Sequence, residues 1–282
     1  MAERPARKPR KPRSAQVVRT ERLTPHMQRV ILGGEGLAGF TADTCTDHYV
    51  KLLFPPSEGV TYPEPFDVER IREELPREQW PVTRTYTVRA WDPVEHELTL
   101  DFVIHGDEGL AGPWAVRVQP GETVHFSGPG GAYAPDVSAD WHLLVGDESA
   151  LPAIACSLEA LPDGIEAHAF IEVSGPEEEQ KIDSDVEVVW LHRGDRPVGQ
   201  ALAEAVRSLE FPEGRMHAFV HGEAHFVKEL RQLFRVDLQI PREDLSISGY
   251  WRLGHNEDGW QASKRDWNAR IEAEQESSAS AA

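Results

Sequence analysis

One change of pattern, near Trp141, constrains what this 282-residue chain can fold into more than any other feature. Before it, from about Ser14, β-type residues come in short runs separated by turns: AQVVRTERL, QRVILGG, HYVKLLF, TRTYTVRAW, ELTLDFVIH and GETVHFSGP, of which TRTYTVRAW and ELTLDFVIH alternate apolar and polar positions. Successive side chains of a strand point to opposite faces, so such runs predict strands with one buried face. The pair around DPVEH reads as an antiparallel hairpin. Six short strands with a single short helix, at GPWAVRV, predict a closed β-barrel. The Pro-, Glu- and Arg-rich residues 55–82 read as an insertion or long loop.

After the change, WHLLVG is a continuous apolar run, as a parallel strand buried on both faces requires. Helix, strand, strand, helix, strand and helix follow, at ESALPAIACSLEALP, EAHAFIEV, VEVVWLHR, GQALAEAVRSLEF, RMHAFVHG and EAHFVKELRQLFR. This βαββαβα order predicts a doubly wound, parallel-sheet nucleotide domain. The acidic stretch GPEEEQKIDSD reads as a solvated loop. The expected organisation is a disordered basic arm (1–13), a six-stranded antiparallel barrel (14–137), an α/β domain (138–245) and a C-terminal extension (246–282). The extension holds a last strand, SISGYWRLG, and a helix, EDGWQASKRDWNARIEAEQ.

Composition excludes several functions. No run of eighteen apolar residues is present, so membrane insertion is not expected. No apolar segment follows the basic N-terminus as in a secretory signal, and the cytoplasm is the expected compartment. Residues 1–13 carry a net charge of +5 and the rest −24 of the chain's −19, which argues against nucleic acid as a partner of the folded body. The arm reads as a Pro-interrupted solvated tail. Cys45 and Cys156 are the two cysteines, too few for an iron–sulfur cluster and not spaced for zinc, so redox work falls to an organic cofactor.

Three segments carry chemistry. Arg84-Thr85-Tyr86-Thr87 lies on a predicted strand and offers a cation, hydroxyls and an aromatic wall, the set a flat phosphorylated cofactor needs. Next come Asp101-Phe102-Val103-Ile104-His105 and the loop GDEGLAGPWA, in which Gly106, Gly109 and Gly112 lead into a helix whose free amides and dipole suit a pyrophosphate. The third is Gly146-Asp147-Glu148-Ser149-Ala150, a strand–turn–helix at the carboxyl end of the sheet's first strand, where ligands bind in such folds. It is not a GxGxxG.

In combination, RTYTVR, DFVIHGDEGLAGPWA, GDESALPAI, FVHGEAHFVKELRQLF and GYWRLG…EDGW, in this order, resemble the siderophore-interacting protein family, with LTPHMQRVILGGEGLAGF near the start. The likeness runs from about Arg19 to Trp267. It implies an FAD-dependent ferric-siderophore reductase of the ferredoxin-reductase superfamily. It places Arg84, Thr85, Tyr86 and Thr87 on FAD, with Asp101, Phe102, Val103 and His105 along the isoalloxazine and ribityl side. It places Ala111, Gly112, Trp114 and Ala115 at the pyrophosphate, and Gly146, Asp147, Glu148, Ser149, Ala150, Gly222 and Glu223 beside NADPH or NADH. Where the family's phosphate loop has Pro-Ala-Ser this chain has Leu110-Ala111-Gly112, so backbone amides must replace a hydroxyl donor. Phe226 stands where a small residue is expected.

A nicotinamide gives two electrons as hydride and Fe(III) takes one, so a flavin is the needed converter. Ferric siderophore complexes of the catecholate type are anionic, which points to Lys51, Arg252 and Lys264 as substrate ligands. Trp251 either stacks over the flavin or packs. Arg193, Arg196 and Ser174 are placed to read an adenosine 2′-phosphate. His217, His221 and His225 recur at the spacing of helical metal ligands, but the segment is β-rich and no metal is expected. Two alternatives stay open: a general flavin or ferredoxin-type reductase, and a non-catalytic siderophore-binding module.

Overall fold

The computed structural model describes residues 11–106 and 109–279, with side chains to residue 275. The strands β1 (Arg13–Thr24), β2 (Met27–Gly33), β3 (Tyr49–Phe54), β4 (Val82–Asp92), β5 (Glu97–Val103) and β6 (Thr123–Gly130) close into an antiparallel barrel in the order β1-β2-β5-β4-β3-β6. Their inward positions, among them Val30, Leu32, Val50, Leu52, Leu98, Leu100 and Phe126, form one core. The six short β-type runs of the sequence are these six strands. The 55–82 segment is not loop throughout: it holds α1 (Val68–Glu74), capped by the Asp67 carboxylate accepting from the Glu69 and Arg70 amides. The basic arm ends earlier than its charge pattern suggests. Arg13 already pairs with Phe126 in the barrel, and its guanidinium donates to the carbonyls of Gly36, Ala38 and Gly39. Residues 1–10 lie outside the described residues.

The second half contains β7 (Trp141–Asp147), α3 (Leu151–Ala160), β8 (Glu166–Val173), β9 (Val188–His192), α4 (Gln200–Ser208), β10 (Met216–Glu223), α5 (Ala224–Gln232), β11 (Leu245–Trp251) and α6 (Glu257–Ala279). Its parallel sheet runs β11-β10-β7-β8-β9. The strand set apart in the sequence as the start of an extension is therefore the sheet's edge strand. α6 lays Trp260, Lys264, Trp267, Ile271 and Gln275 in one stripe of three- and four-residue steps. Trp260 and Ile271 are buried, and the Gln275 amide donates to the Lys228 carbonyl. The same helix starts on the barrel, where the Glu257 carboxylate accepts from the Thr85 amide at 3.0 Å.

Other contacts join the halves. Arg89 of β4 forms a bidentate pair with Glu159 of α3, and Thr46 and Ser157 share a hydrogen bond of 2.8 Å. The Cys156 thiol donates to the Arg89 carbonyl, and burial pushes it up to about 11. The acidic stretch after β8 is not wholly solvated: Glu178 is buried and binds Thr24 and His26 at the β1–β2 turn.

Two buried histidines set an acid limit on stability. The His142 ring nitrogens have no hydrogen-bond partner among the described residues, and burial, then the neighbouring His217, lowers its pKa to about 4. Burial, then the Lys264 charge, lowers His221 to about 3. Both folded values lie below the ordinary 6.5, so the unfolded chain takes up protons first as pH falls. The contribution of these two rings is thus full above pH 6.5 and drains below it, by about 3 kcal/mol for His142 alone on reaching pH 4, a loss that exceeds the opposite effect of the buried Asp147 carboxyl, which takes up its proton first in the folded chain. Urea melts between pH 8 and 4 should show this decline; a flat profile contradicts it.

Candidate functional site

Strand β4 pairs with β3 so that Val50 faces Tyr86, Lys51 faces Thr85 and Leu52 faces Arg84. Arg84 and Tyr86 therefore share a face with the core positions Val50 and Leu52, while Lys51 and Thr85 share the other. The Tyr86 ring lies 4.0 Å from Phe102, Phe102 lies 5.6 Å from Trp114, and Trp114 lies 5.3 Å from Phe54. This row of rings connects the RTYT strand to α2 (Ala111–Arg117), the helix after the glycine loop. Burial raises the Tyr86 phenol. Phe102, Ala111 and Ala115 are buried, and Leu110 caps α2 with no side-chain hydrogen bond. A Cβ on Gly112 would stand 3.4 Å from the Val103 carbonyl, so the helix start lies close on β5. Residues 107 and 108 of the glycine loop lie outside the described residues.

Arg84 donates to the Thr83 carbonyl and pairs with Asp258 at 3.0 Å; its side chain is 13% exposed and that of Asp258 51%. Asp101 is committed elsewhere: buried, it takes a bidentate pair from Arg29 at 2.7 and 2.8 Å. Val103 packs into the second-half core, and burial lowers His105, beside Glu148 and Arg193.

The parallel sheet reverses direction of growth at β7, which has β8 on one side and β10 on the other. That junction is the topological switch point, outside whose carboxyl end ligands bind. The structure brings Gly146, Asp147, Gly222 and Glu223 together there. Asp147 is fully buried, and its carboxylate accepts from the Ser149 amide and hydroxyl, the Glu223 amide at 2.8 Å and the Trp251 indole at 2.8 Å. Burial, then Glu148, raises its pKa to about 6. Ala150 is buried. Glu223 caps α5 through the His225 amide and also accepts from the Leu253 amide. A Cβ on Gly146 would meet Ala150 Cβ at 2.5 Å and the His221 carbonyl at 2.7 Å. Gly146→Ala should therefore cost roughly 2–3 kcal/mol through overpacking, seen as a lowered melting temperature. An unchanged Tm would mean the strands can part. The unexpected Phe226 also has a reason: phantom Cβ atoms on Gly199 and Gly222 fall 2.3 Å and 2.7 Å from it, so two glycines make its room.

Glu148 and Arg193 pair through the Arg193 Nη2 at 2.5 Å, and Arg193 also reaches Glu172 at 3.2 Å. Glu172 is buried, its carboxyl raised by burial, with Oε2 unpartnered. Arg193 thus faces two carboxylates. Arg196 is a half-exposed partner of Glu204, and the Ser174 hydroxyl is buried without a partner among the described residues.

Lys51, Lys264 and Arg252 are a different kind of cation. None has a carboxylate within ion-pair distance among the described residues. Lys264 is half-buried, and burial, then the Lys51 charge, lowers its ammonium while Glu257 opposes. Lys51 and Lys264, distant in sequence, are therefore neighbours. Arg252 lies 4.0 Å over the Trp267 ring, one turn along α6 from Lys264. Sequence reasoning missed Glu257 and Trp267, whose helix showed only periodicity. The three histidines point apart: His217 stacks on Tyr133, His221 meets Ser246, and His225 meets Glu223.

The closed antiparallel barrel and the parallel sheet that follows it make a two-part fold found in solved reductase structures. A ferredoxin NADP+ reductase from Neisseria gonorrhoeae with bound FAD and NADP shares this fold at TM-score 0.55 and 14% identity, over 80% of this chain and 91% of that one. The profile of the siderophore-interacting FAD-binding domain matches residues 16–133, and that of the siderophore-interacting protein matches 139–254. The chain belongs to the siderophore-interacting protein family. It is similar to a siderophore utilization protein from T. fusca (TM-score 0.76, 36% identity, 87% of this chain and 94% of that one). It is 34% identical to the ferric vibriobactin reductase ViuB of Vibrio cholerae over 88% of this chain and 92% of that protein. It is 31% identical to the NADPH-dependent ferric-chelate reductase of Escherichia coli over 85% and 92%.

Proposed function

We propose that this chain is a nicotinamide-nucleotide-dependent flavoprotein that reduces ferric siderophore complexes, and that it works in the cytoplasm. The observation that carries the acceptor is the neighbouring pair Lys51 and Lys264, with Arg252 stacked on Trp267 of the helix that carries Lys264, all without a carboxylate at ion-pair distance among the described residues in a chain of net charge −19. Cations without partners in so acidic a protein suit a multiply anionic metal complex. No helix among the described residues is long and apolar enough to cross a membrane.

The residues present fit an FAD. Arg84 is largely buried, yet its carboxylate partner is a half-exposed Asp258 that a phosphate can replace. The first turn of α2, which no side chain among the described residues caps, offers amides, and the Tyr86–Phe102–Trp114 row offers an apolar wall. Arg84 and the α2 amides would hold the pyrophosphate, and Tyr86 and Thr87 the ring end. FAD supplies the exchange of one hydride for two single electrons. In balance, one NAD(P)H and two Fe(III) yield NAD(P)+, one proton and two Fe(II). The chain's own part is to hold the nucleotide at the β7–β10 switch point, to keep bulk water from the buried strand ends, and to seat the anionic acceptor beside Lys51, Lys264 and Arg252.

Anaerobic addition of NADPH to the purified yellow protein should bleach its flavin absorbance. A ferric tris-catecholate should then restore the colour with release of Fe(II). Protein that takes up no FAD, or reduced flavin that the ferric complex leaves reduced, would overturn the reading.

A further inference from the structure

Resting on that reading only for the nucleotide, the geometry points to Asp147 as a positioning residue that fixes the Trp251 indole as one wall of the nicotinamide crevice. Asp147 ends β7 and Trp251 ends β11, two strands separated in the sheet by β10. A single carboxylate crosses that gap: Oδ2 takes the Glu223 amide from β10 and the Trp251 Nε1 from β11, both at 2.8 Å. Oδ1 takes the amide and hydroxyl of Ser149, so all its donors come from the rim of the switch point. The side chain has no solvent exposure, which makes each bond costly to leave unmade.

The backbone around the pair is shaped for it. Gly222, at φ +141°, would place a Cβ 2.7 Å from the Asp147 carboxylate, so only a glycine leaves the carboxylate room to reach across. The β10–β11 ladder shifts register between Gly222 and Glu223, and this shift sets Trp251 opposite Glu223. The Leu253 amide, two residues beyond Trp251, is anchored on the Glu223 carboxylate. Trp251 is thus held through its indole and through the backbone two residues on, while the residue stays only half-buried. An indole offers one donor and no acceptor, so the Asp147 bond is the single polar restraint that selects its orientation. A nicotinamide entering at the carboxyl ends of β7 and β10 meets this ring already in place.

The test uses flavin-loaded full-length protein, with NADPH as donor and ferricyanide as acceptor. Trp251→Phe, which keeps a ring but not the donor, should raise the KM for NADPH about 3-fold, and Trp251→Ala about 10-fold, with kcat within about twofold. Asp147→Asn puts an amide N–H against one of the donor pairs in either flip. It should raise KM about 10-fold with Trp251 present but less than about twofold in the Trp251→Phe background, because the two act as a unit. The same pattern is expected in the Kd for NADP+, read from the fluorescence change on binding without any acceptor. Asp147→Asn costing the same in both backgrounds would reduce Asp147 to a staple of strand ends and overturn the proposal. So would an unchanged Kd in both tryptophan variants. Failure of ferric siderophore turnover alone strikes the proposed acceptor, since neither readout contains one.

Discussion

Arg84→Ala should give a folded but colourless protein. The guanidinium is the one cation on the Tyr86 face of β4, and it is mostly buried, so a phosphate that it meets there is bound with little competition from water. A hydrogen bond to a charged group in such a setting contributes about 1.5–3 kcal/mol, so FAD affinity should fall roughly 10- to 150-fold. Folding should survive, because the lost partner is Asp258, a half-exposed carboxylate on α6, and because Leu52 and Val50 keep that face of the barrel packed. Flavin absorbance per protein after purification, FAD titration by fluorescence and a thermal melt decide this. Wild-type flavin content in the variant would remove Arg84 from the site.

The second large effect is expected from Lys51→Ala combined with Lys264→Ala. The two ammonium groups lie close enough for one to lower the pKa of the other, and each is without a salt bridge among the described residues. Folding keeps such a pair together only at a cost, which an anionic ligand would relieve. Removing them should raise the KM for a ferric tris-catecholate by roughly tenfold per charge, about 100-fold together, at low salt. A neutral ferric hydroxamate should be reduced as before, which separates loss of charge recognition from loss of flavin. Equal damage to both substrates would mean that the lysines shape the cleft and do not read charge. The wild-type KM for the catecholate should itself rise with ionic strength.

Much of the fold was legible because the relevant physics is local. Short β-type runs between turns, two of them alternating with period two, marked the six barrel strands, and the continuous run WHLLVG gave a strand buried on both faces. The RTYT strand, the glycine loop and GDESA were visible as strand ends and loops leading into helices, where amides and hydroxyls are free for a ligand. Other features were hidden because they depend on partners remote in the chain. Glu178 looked like part of a solvated acidic run until Thr24 and His26 were found beside it. Asp101 looked available for a cofactor, but Arg29 on the next strand takes both its oxygens. Arg193 looked like a reader of a 2′-phosphate, yet Glu148 and Glu172 already flank it.

What the amino-acid order determines on its own is the type of each segment and the two-part architecture, since periodicity and turn chemistry act over a few residues. Only the tertiary structure decides which charges remain uncompensated and which polar atoms meet. Lys51 and Lys264 become neighbours, and Asp147 reaches Trp251, because barrel closure, sheet order and the path of α6 bring distant residues within range of forces that fall off over a few ångströms.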